Sequence, residues 1–342
     1  MTYVFFNYLN VTINDNGHSG YEKYFSNEYA RITGKSVPDQ TIPSITVEIV
    51  KRLPRAQTAD IRRLVRYKKL FNYEYLVRGL SAQHVTIYFK SHWIDRIYMN
   101  AIGVFVQAQV LEPIMYLKLL EQNVLLMHAG GVTNEKSGYL LPAYGGTGKT
   151  TFSIALLGYG YKLLGDDLLF VSVGRKKVYP YPRPMHIFTY NVNNLNGASI
   201  PLKYKLAIYT KNVIRFFLEK LLGTEFLIST RVHADEVFPN NPYGKPVTYK
   251  HIFFLKKTGP PTRLVKITQQ NIGKLAEEIM SSADLNDSLF DILQDASMIR
   301  EVKKLEKSVI SSLLGQFPSL VYLNTRKLNL SDLKPLIQNY FQ

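Results

Sequence analysis

Ala143-Tyr144-Gly145-Gly146-Thr147-Gly148-Lys149-Thr150 is the stretch on which the fold turns. Eight residues of this kind describe a loop shaped to hold the phosphates of a nucleoside triphosphate. The preceding Gly138–Ala143 is short and apolar, as a buried strand is, and Lys149–Leu157 repeats apolar residues at Phe152, Ala155 and Leu156, as a helix does. Strand, loop and helix are the context the motif requires. Glycines let the backbone bend until several N–H groups converge, and the positive end of the helix dipole adds to their field. Lys149 is expected to reach the β- and γ-phosphates, and Thr150 to offer its hydroxyl to Mg²⁺. Gly145, Gly146, Thr147, Gly148 and Thr151 complete the expected nucleotide-binding set. Ala143 stands where the strict pattern has glycine.

Outward from the loop, Leu111–Gln122 reads as a helix with Pro113 in its first turn, and Val124–Met127 as a buried strand leading to His128. Past the loop's helix, which Gly158 and Gly160 end, Tyr161–Leu164 and Leu168–Val173 read as strands flanking Gly165-Asp166-Asp167. Pro180, Pro182 and Pro184 mark a rigid extended passage. Lys203–Leu222 is expected to be helical, His251–Lys256 a buried strand, 268–315 mainly helical, Leu320–Leu323 a short strand and Asp332–Tyr340 a last helix. The first hundred residues are β-rich, with Tyr3–Ile13, Ser44–Val50, Val85–Lys90 and Arg96–Val106 dense in β-branched and aromatic residues. The expected organisation is a β-rich N-terminal domain over 1–110 that selects the substrate, and a P-loop domain over 111–342 with a helical C-terminal part.

With 342 residues, 46% of them hydrophobic, the chain can bury a sizeable core. The absence of cysteine excludes disulfides, thiolate metal sites and thiol nucleophiles. The start lacks the features of a signal peptide, and no stretch approaches eighteen uninterrupted apolar residues, so the expectation is a soluble cytoplasmic protein without a membrane segment. A net charge of +16 implies an anionic partner. Its densest region, Lys51–Arg78, has nine Lys or Arg against Asp60 and Glu74, with Tyr67, Tyr73 and Tyr75 interleaved. Such a face could bind RNA or an acidic tail, or be solvated surface.

Phosphoryl transfer also needs a carboxylate for Mg²⁺ and, with an alcohol acceptor, one to take its proton. Asp166 and Asp167 are the candidates, because neighbours at a strand end project to opposite sides. From Met127 to Asp167 the chain resembles the catalytic domain of HPr kinase/phosphorylase and its relatives, whose P-loop fold is similar to that of phosphoenolpyruvate carboxykinase. The resemblance rests on three features in register: His128-Ala129 before the loop, the loop itself, and the Asp-Asp pair after a glycine-bearing turn. It implies an α/β fold of the PEP carboxykinase/HPr kinase type, with ATP and Mg²⁺ as cofactors. It makes Asp166 the base toward a serine hydroxyl, Asp167 its partner near Mg²⁺, Lys149 the phosphate ligand and Thr150 the metal ligand, with His128 beside the phosphates.

The Leu-Glu-Ile-Arg-Gly signature of true HPr kinases is missing. In its place Tyr179-Pro180-Tyr181-Pro182-Arg183-Pro184 resembles the Pro-Arg-Pro passage of HPr kinase-related proteins, including kinases of lasso-peptide clusters. HPr itself is therefore not the expected substrate. Arg183, Arg231 and Lys245 are the candidates for a phosphate-clamping cation. The expectation is a kinase acting on a serine of a peptide or protein, in an assembly that could be a homo-oligomer. An RNA ribose hydroxyl or a small metabolite as acceptor, and a nucleotide-binding regulator without transfer, are the alternatives; keto-acid decarboxylation lacks its ligand cluster.

Overall fold

The computed structural model describes residues 1–17, 20–32, 41–67, 71–187, 201–222, 230–238, 240, 242–282, 285–327, 336 and 339. It is a mixed α/β structure that divides into two compact units, Met1–Leu126 with Asp284–Val309, and Met127–Ala283 with Ile310–Gln342. The boundary expected near residue 110 lies within the helical run Met99–Leu120, and the chain instead divides after Leu126 and returns to the first unit. The helix expected over Asp332–Tyr340 falls almost wholly outside the described residues.

The first unit carries a six-stranded sheet in the order β1-β2-β3-β6-β5-β4, from β1 (Thr2–Phe5), β2 (Leu9–Asn14), β3 (Ser44–Val50), β4 (Ile61–Tyr67), β5 (Phe71–Arg78) and β6 (His84–Lys90). Tyr3–Ile13, which reads as one strand, is a hairpin. Phe6 and Asn7 turn it with φ of 53° and 58°, the left-handed pair that a tight hairpin turn requires. Along β3 every second residue is buried, with Ile45, Val47 and Ile49 fully enclosed, so only one face is core. On that core lie α1 (Tyr21–Tyr29) and a helical run that replaces the strand expected over Arg96–Val106. That run is a 3₁₀ turn (Trp93–Arg96), α2 (Met99–Phe105), a π-helical segment (Val106–Leu111) and α3 (Glu112–Leu120). The wide π turn precedes Pro113, which has no N–H to give a regular helix. Inside it, Gln107 accepts from the Tyr24 hydroxyl at 2.7 Å and donates to Glu112 at 2.9 Å. Met99–Leu120 is long and apolar enough to cross a membrane by length and composition, but 83% of its apolar window is buried in the fold.

The second unit is built on an eight-stranded sheet. Its strands are β7 (Val124–Thr133), β8 (Gly138–Pro142), β9 (Lys162–Gly165), β10 (Leu168–Ser172), β11 (Lys177–Tyr179), β14 (Val247–Lys256), β15 (Thr262–Lys266) and β16 (Ser319–Asn324), while β12 (Met185–Ile187) and β13 (Thr230–Val232) form a separate ribbon. At its centre β8, β14 and β16 run parallel, so their C-terminal ends share one edge. Ligands of open α/β sheets bind at such an edge. After β8 the chain enters the loop and then α4 (Lys149–Gly158). Phe152, Ala155 and Leu156 of α4 pack on Leu141, Phe253, Leu255 and Leu323 of the sheet. Ile154 and Leu157 pack on the ribbon and on Ile208 of α5 (Leu202–Leu222). In chain order α6 (Ile272–Met280) follows within this unit, while α7 (Leu285–Leu293) and most of α8 (Ala296–Leu314) belong to the first.

Candidate functional site

Gly146 and Gly148 hold φ of +67° and +92°, a left-handed backbone that glycine adopts without strain. Gly148 sits at the N-cap of α4, whose first internal bond runs from the Phe152 N–H to the Gly148 carbonyl. The first amides of a helix have no acceptor within it, which is what makes a helix start suited to an anion. Thr147 is turned inward, its hydroxyl donating to the Tyr144 carbonyl at 2.8 Å. From the end of β16, the Thr325 hydroxyl donates to the Thr147 carbonyl at 2.6 Å, and the Thr325 N–H bonds the Lys256 carbonyl at the end of β14. Ends of neighbouring strands thus brace the loop. Thr325 is a residue the sequence alone does not reveal, because its role depends on strand order.

Lys149 is buried and its ammonium donates to the Ala143 carbonyl at 3.1 Å. The same nitrogen lies 2.8 Å from His128 Nε2. His128 Nδ1 is 2.6 Å from the Ser282 carbonyl, which can only accept, so Nδ1 carries a proton. Nε2 also lies 3.2 Å from Asp167 Oδ1. With a neutral ring Nε2 accepts from Lys149; with a protonated ring it donates to Asp167. Sequence reasoning placed His128 here but missed Ser282, a backbone contact with no signal in side-chain type.

Asp166 and Asp167 diverge as expected at a strand end. Asp166 is buried, its Oδ2 accepts from the Thr150 hydroxyl at 2.9 Å, and its buried Oδ1 has no hydrogen-bond partner. Burial, and then the charge of Asp167, push its carboxyl up to about 6, against the Thr150 hydrogen bond and the charges of Lys149 and Arg183. Asp167 is partly exposed, and its Oδ2 pairs with Arg183 at 2.7 Å. Desolvation opposes its ionisation, but the His128 contact and the charges of Arg183, His128 and Lys149 outweigh that and hold it well below the usual carboxylate range. The partner of Thr150 is thus Asp166, whereas the sequence reading gave Thr150 and Asp167 to the metal together.

The turn carrying the pair has no room for a side chain at Gly165. A Cβ there would lie 2.3 Å from the Leu168 carbonyl oxygen and 3.3 Å from that of Tyr181. The proline-rich passage runs close by, its Tyr181 N–H bonded to the Leu164 carbonyl at 2.6 Å, and it delivers Arg183 to Asp167. Arg231 lies on the ribbon, opposite His186 in register. Lys245 is exposed and its charge acts on Glu135. Gly145 and Gly146 are exposed at the crest of the loop, and Thr151 lies in the first turn of α4.

In the first unit, Arg62 pairs with Glu74 at 2.5 Å and Arg78 with Asp60 at 2.8 Å. Arg63 donates to the carbonyls of Asp291 and Ile292, so three cations of the 51–78 region are engaged within the unit. Lys68 and Lys69 lie outside the described residues. No protein-family model matches the chain, and no curated protein matches it significantly.

Proposed function

We propose that the protein is an ATP- and Mg²⁺-dependent kinase, with a P-loop domain of the PEP carboxykinase/HPr kinase type, that transfers the γ-phosphoryl group to a hydroxyl, a serine of a peptide or protein. The observation that carries this reading is the convergence of the loop, Lys149, Thr150, both aspartates, His128 and Arg183 at one sheet edge. The donor set suits the cofactors. Thr150 and the aspartates offer hard oxygen ligands, and Oδ1 of Asp166 is a buried acceptor without a partner.

In this reading the loop amides and Lys149 bind the triphosphate, Thr150 and Asp167 would hold Mg²⁺, and the metal would neutralise charge on the phosphates. The acceptor oxygen forms a bond to the γ-phosphorus while the bond from that phosphorus to the bridging oxygen breaks, leaving ADP. Asp166, its proton affinity raised toward neutrality, takes the hydroxyl proton. Arg183 keeps Asp167 ionised and places positive charge beside the transferring group. A peptide or protein acceptor is favoured over RNA by the internal pairing of Arg62, Arg63 and Arg78. A cytoplasmic location and a homo-oligomeric assembly belong to the same proposal.

The test is transfer of labelled γ-phosphate from ATP into a host extract separated into protein, RNA and small-molecule fractions, with Lys149→Ala beside the parent. Label in the protein fraction with the parent alone is expected. Label confined to RNA or small molecules overturns the acceptor class, and ATP binding without transfer to any fraction overturns the kinase.

A further inference from the structure

Along α5, Leu202, Leu206, Tyr209, Val213, Phe216 and Phe217 are all more than half exposed, Leu202 reaching 71% and Phe217 65%. The first five recur four, three, four and three residues apart, which keeps them on one side of a helix of about 3.6 residues per turn. The opposite side fastens α5 to its unit: Ile208 is buried with Met185, Ile187 and Val232 of the ribbon, and Tyr204 packs against the same cluster. The helix is thus apolar on both sides, and its outer stripe runs for roughly 23 Å at a rise of about 1.5 Å per residue. A contiguous apolar patch of this kind is rare on a soluble surface unless it meets something.

Lysines border the stripe. Lys203 and Lys205 flank its first turn and are exposed, Lys203 also pairing with Glu236 at 3.7 Å. Lys220 is exposed at the far end, its ammonium 5.9 Å from the centre of the Phe216 ring. Over its whole length α5 has five Lys or Arg against Glu219 alone. A second copy of α5 laid along the stripe would bring like charges together, because residues beside a helix seam face their counterparts across it. The same charges bar α5 from crossing a bilayer; among the described residues only Met99–Leu120 has the length and apolarity for that. An anionic lipid surface suits both features, since it takes rings and aliphatic chains beneath the headgroups while lysine stems reach back to the phosphates.

We propose that α5 docks the protein reversibly on a bilayer containing anionic lipid, lying in the plane of the interface with its outer stripe in the headgroup region. The net charge of +16 supplies the long-range attraction, and the stripe supplies the apolar contact that holds the protein there. This inference does not rest on the P-loop reading, because the stripe and its lysines hold the chain at a surface whether or not it transfers phosphate.

Co-sedimentation of the full chain with vesicles of phosphatidylcholine, alone or with roughly one third phosphatidylserine, tests this at low and high salt. The parent is expected to bind the anionic vesicles at least about tenfold more tightly than the neutral ones, and less tightly as salt rises. The double variants Phe216→Ser/Phe217→Ser and Lys205→Glu/Lys220→Glu change only exposed side chains, so each should keep the parent's thermal unfolding. Each should bind anionic vesicles at least about tenfold more weakly, given what two buried rings or two interfacial lysines usually contribute. Trp93 is the single tryptophan, so Phe217→Trp in a Trp93→Phe background reports on α5 alone, and its emission should shift to the blue and be quenched by brominated lipid chains. A parent that binds no anionic vesicle overturns the proposal. So does binding that survives Phe216→Ser/Phe217→Ser, because charge alone would then suffice. A dimer in sedimentation velocity that this variant dissociates, with no vesicle binding, overturns it in favour of a second copy on the stripe.

Discussion

Replacing Asp166 with asparagine separates the cost of its charge from its chemistry. At neutral pH the parent keeps this buried carboxylate ionised although its pKa is raised from 3.8 to about 6, chiefly by burial and then by the charge of Asp167. Each tenfold change in proton affinity is worth about 1.4 kcal/mol, so the ionised group costs the folded state about 3 kcal/mol at pH 7.5. Because the folded pKa is the higher one, the carboxyl's favourable contribution is complete below about 4 and is lost as pH rises through about 6. Asparagine has no such dependence. It keeps an oxygen for Thr150, and the amide it places at the site of Oδ1 carries a cost that does not vary with pH. The stability of Asp166→Asn relative to the parent should therefore rise by about 2.4 kcal/mol between pH 4 and pH 7.5, read from urea unfolding followed by far-ultraviolet circular dichroism. Turnover of the variant should fall by at least about a hundredfold, the usual contribution of a positioned base. A stability difference that stays flat across this range would refute the argument, because it would mean that Asp166 is not held ionised against its surroundings.

Gly165→Ala should lower stability by about 1–3 kcal/mol, the usual range for overpacking, and should impair transfer further by moving the aspartates, since its methyl meets a backbone oxygen that cannot swing aside; thermal unfolding and the transfer assay check it together. In Arg183→Ala, Asp167 loses one of the charges that depress its carboxyl. A depressed carboxyl stabilises above its ordinary value and stops doing so as pH falls, so acid unfolding of this variant should begin at higher pH than in the parent, and Arg183→Lys should restore part of that shift. Gly148→Ala, at φ +92°, should cost about 1–2 kcal/mol and weaken tripolyphosphate binding, measured by unfolding and calorimetry respectively.

Around the loop the sequence is legible because each level agrees: an apolar strand, left-handed glycines and a helix whose Phe152, Ala155 and Leu156 meet the sheet. The aspartates were legible through their distance from Lys149, but their division of labour was not, since Thr150 selects Asp166 only through the course of the turn. Arg183 could be nominated from its proline-rich surroundings, whereas its contact with Asp167 depends on the Tyr181 N–H finding the Leu164 carbonyl. Arg96–Val106 misleads because its β-branched and aromatic residues suit a strand, yet its second half, with Ile102, Phe105 and Val106 buried, is helical and leads into Gln107, which satisfies Tyr24 and Glu112. Phe6 misleads in the opposite way, as a bulky residue in a left-handed turn.

The return of residues 284–309 to the first unit has a consequence for how the protein is made. Glu306 takes the hydroxyl of buried Tyr116 at 2.6 Å, Ser288 donates to Gln109 at 2.9 Å, and Arg63 spends its guanidinium on the Asp291 and Ile292 carbonyls. None of these partners exists when residue 126 leaves the ribosome. At about 5–20 residues per second they emerge on the order of ten to thirty seconds later. Through that interval the nascent first unit carries an unfinished, partly apolar face, while the chain of the second unit is threaded out between its two pieces. A fragment ending at residue 126 inherits the same deficiency permanently, and adding 284–309 as a separate peptide is the rational way to make it whole.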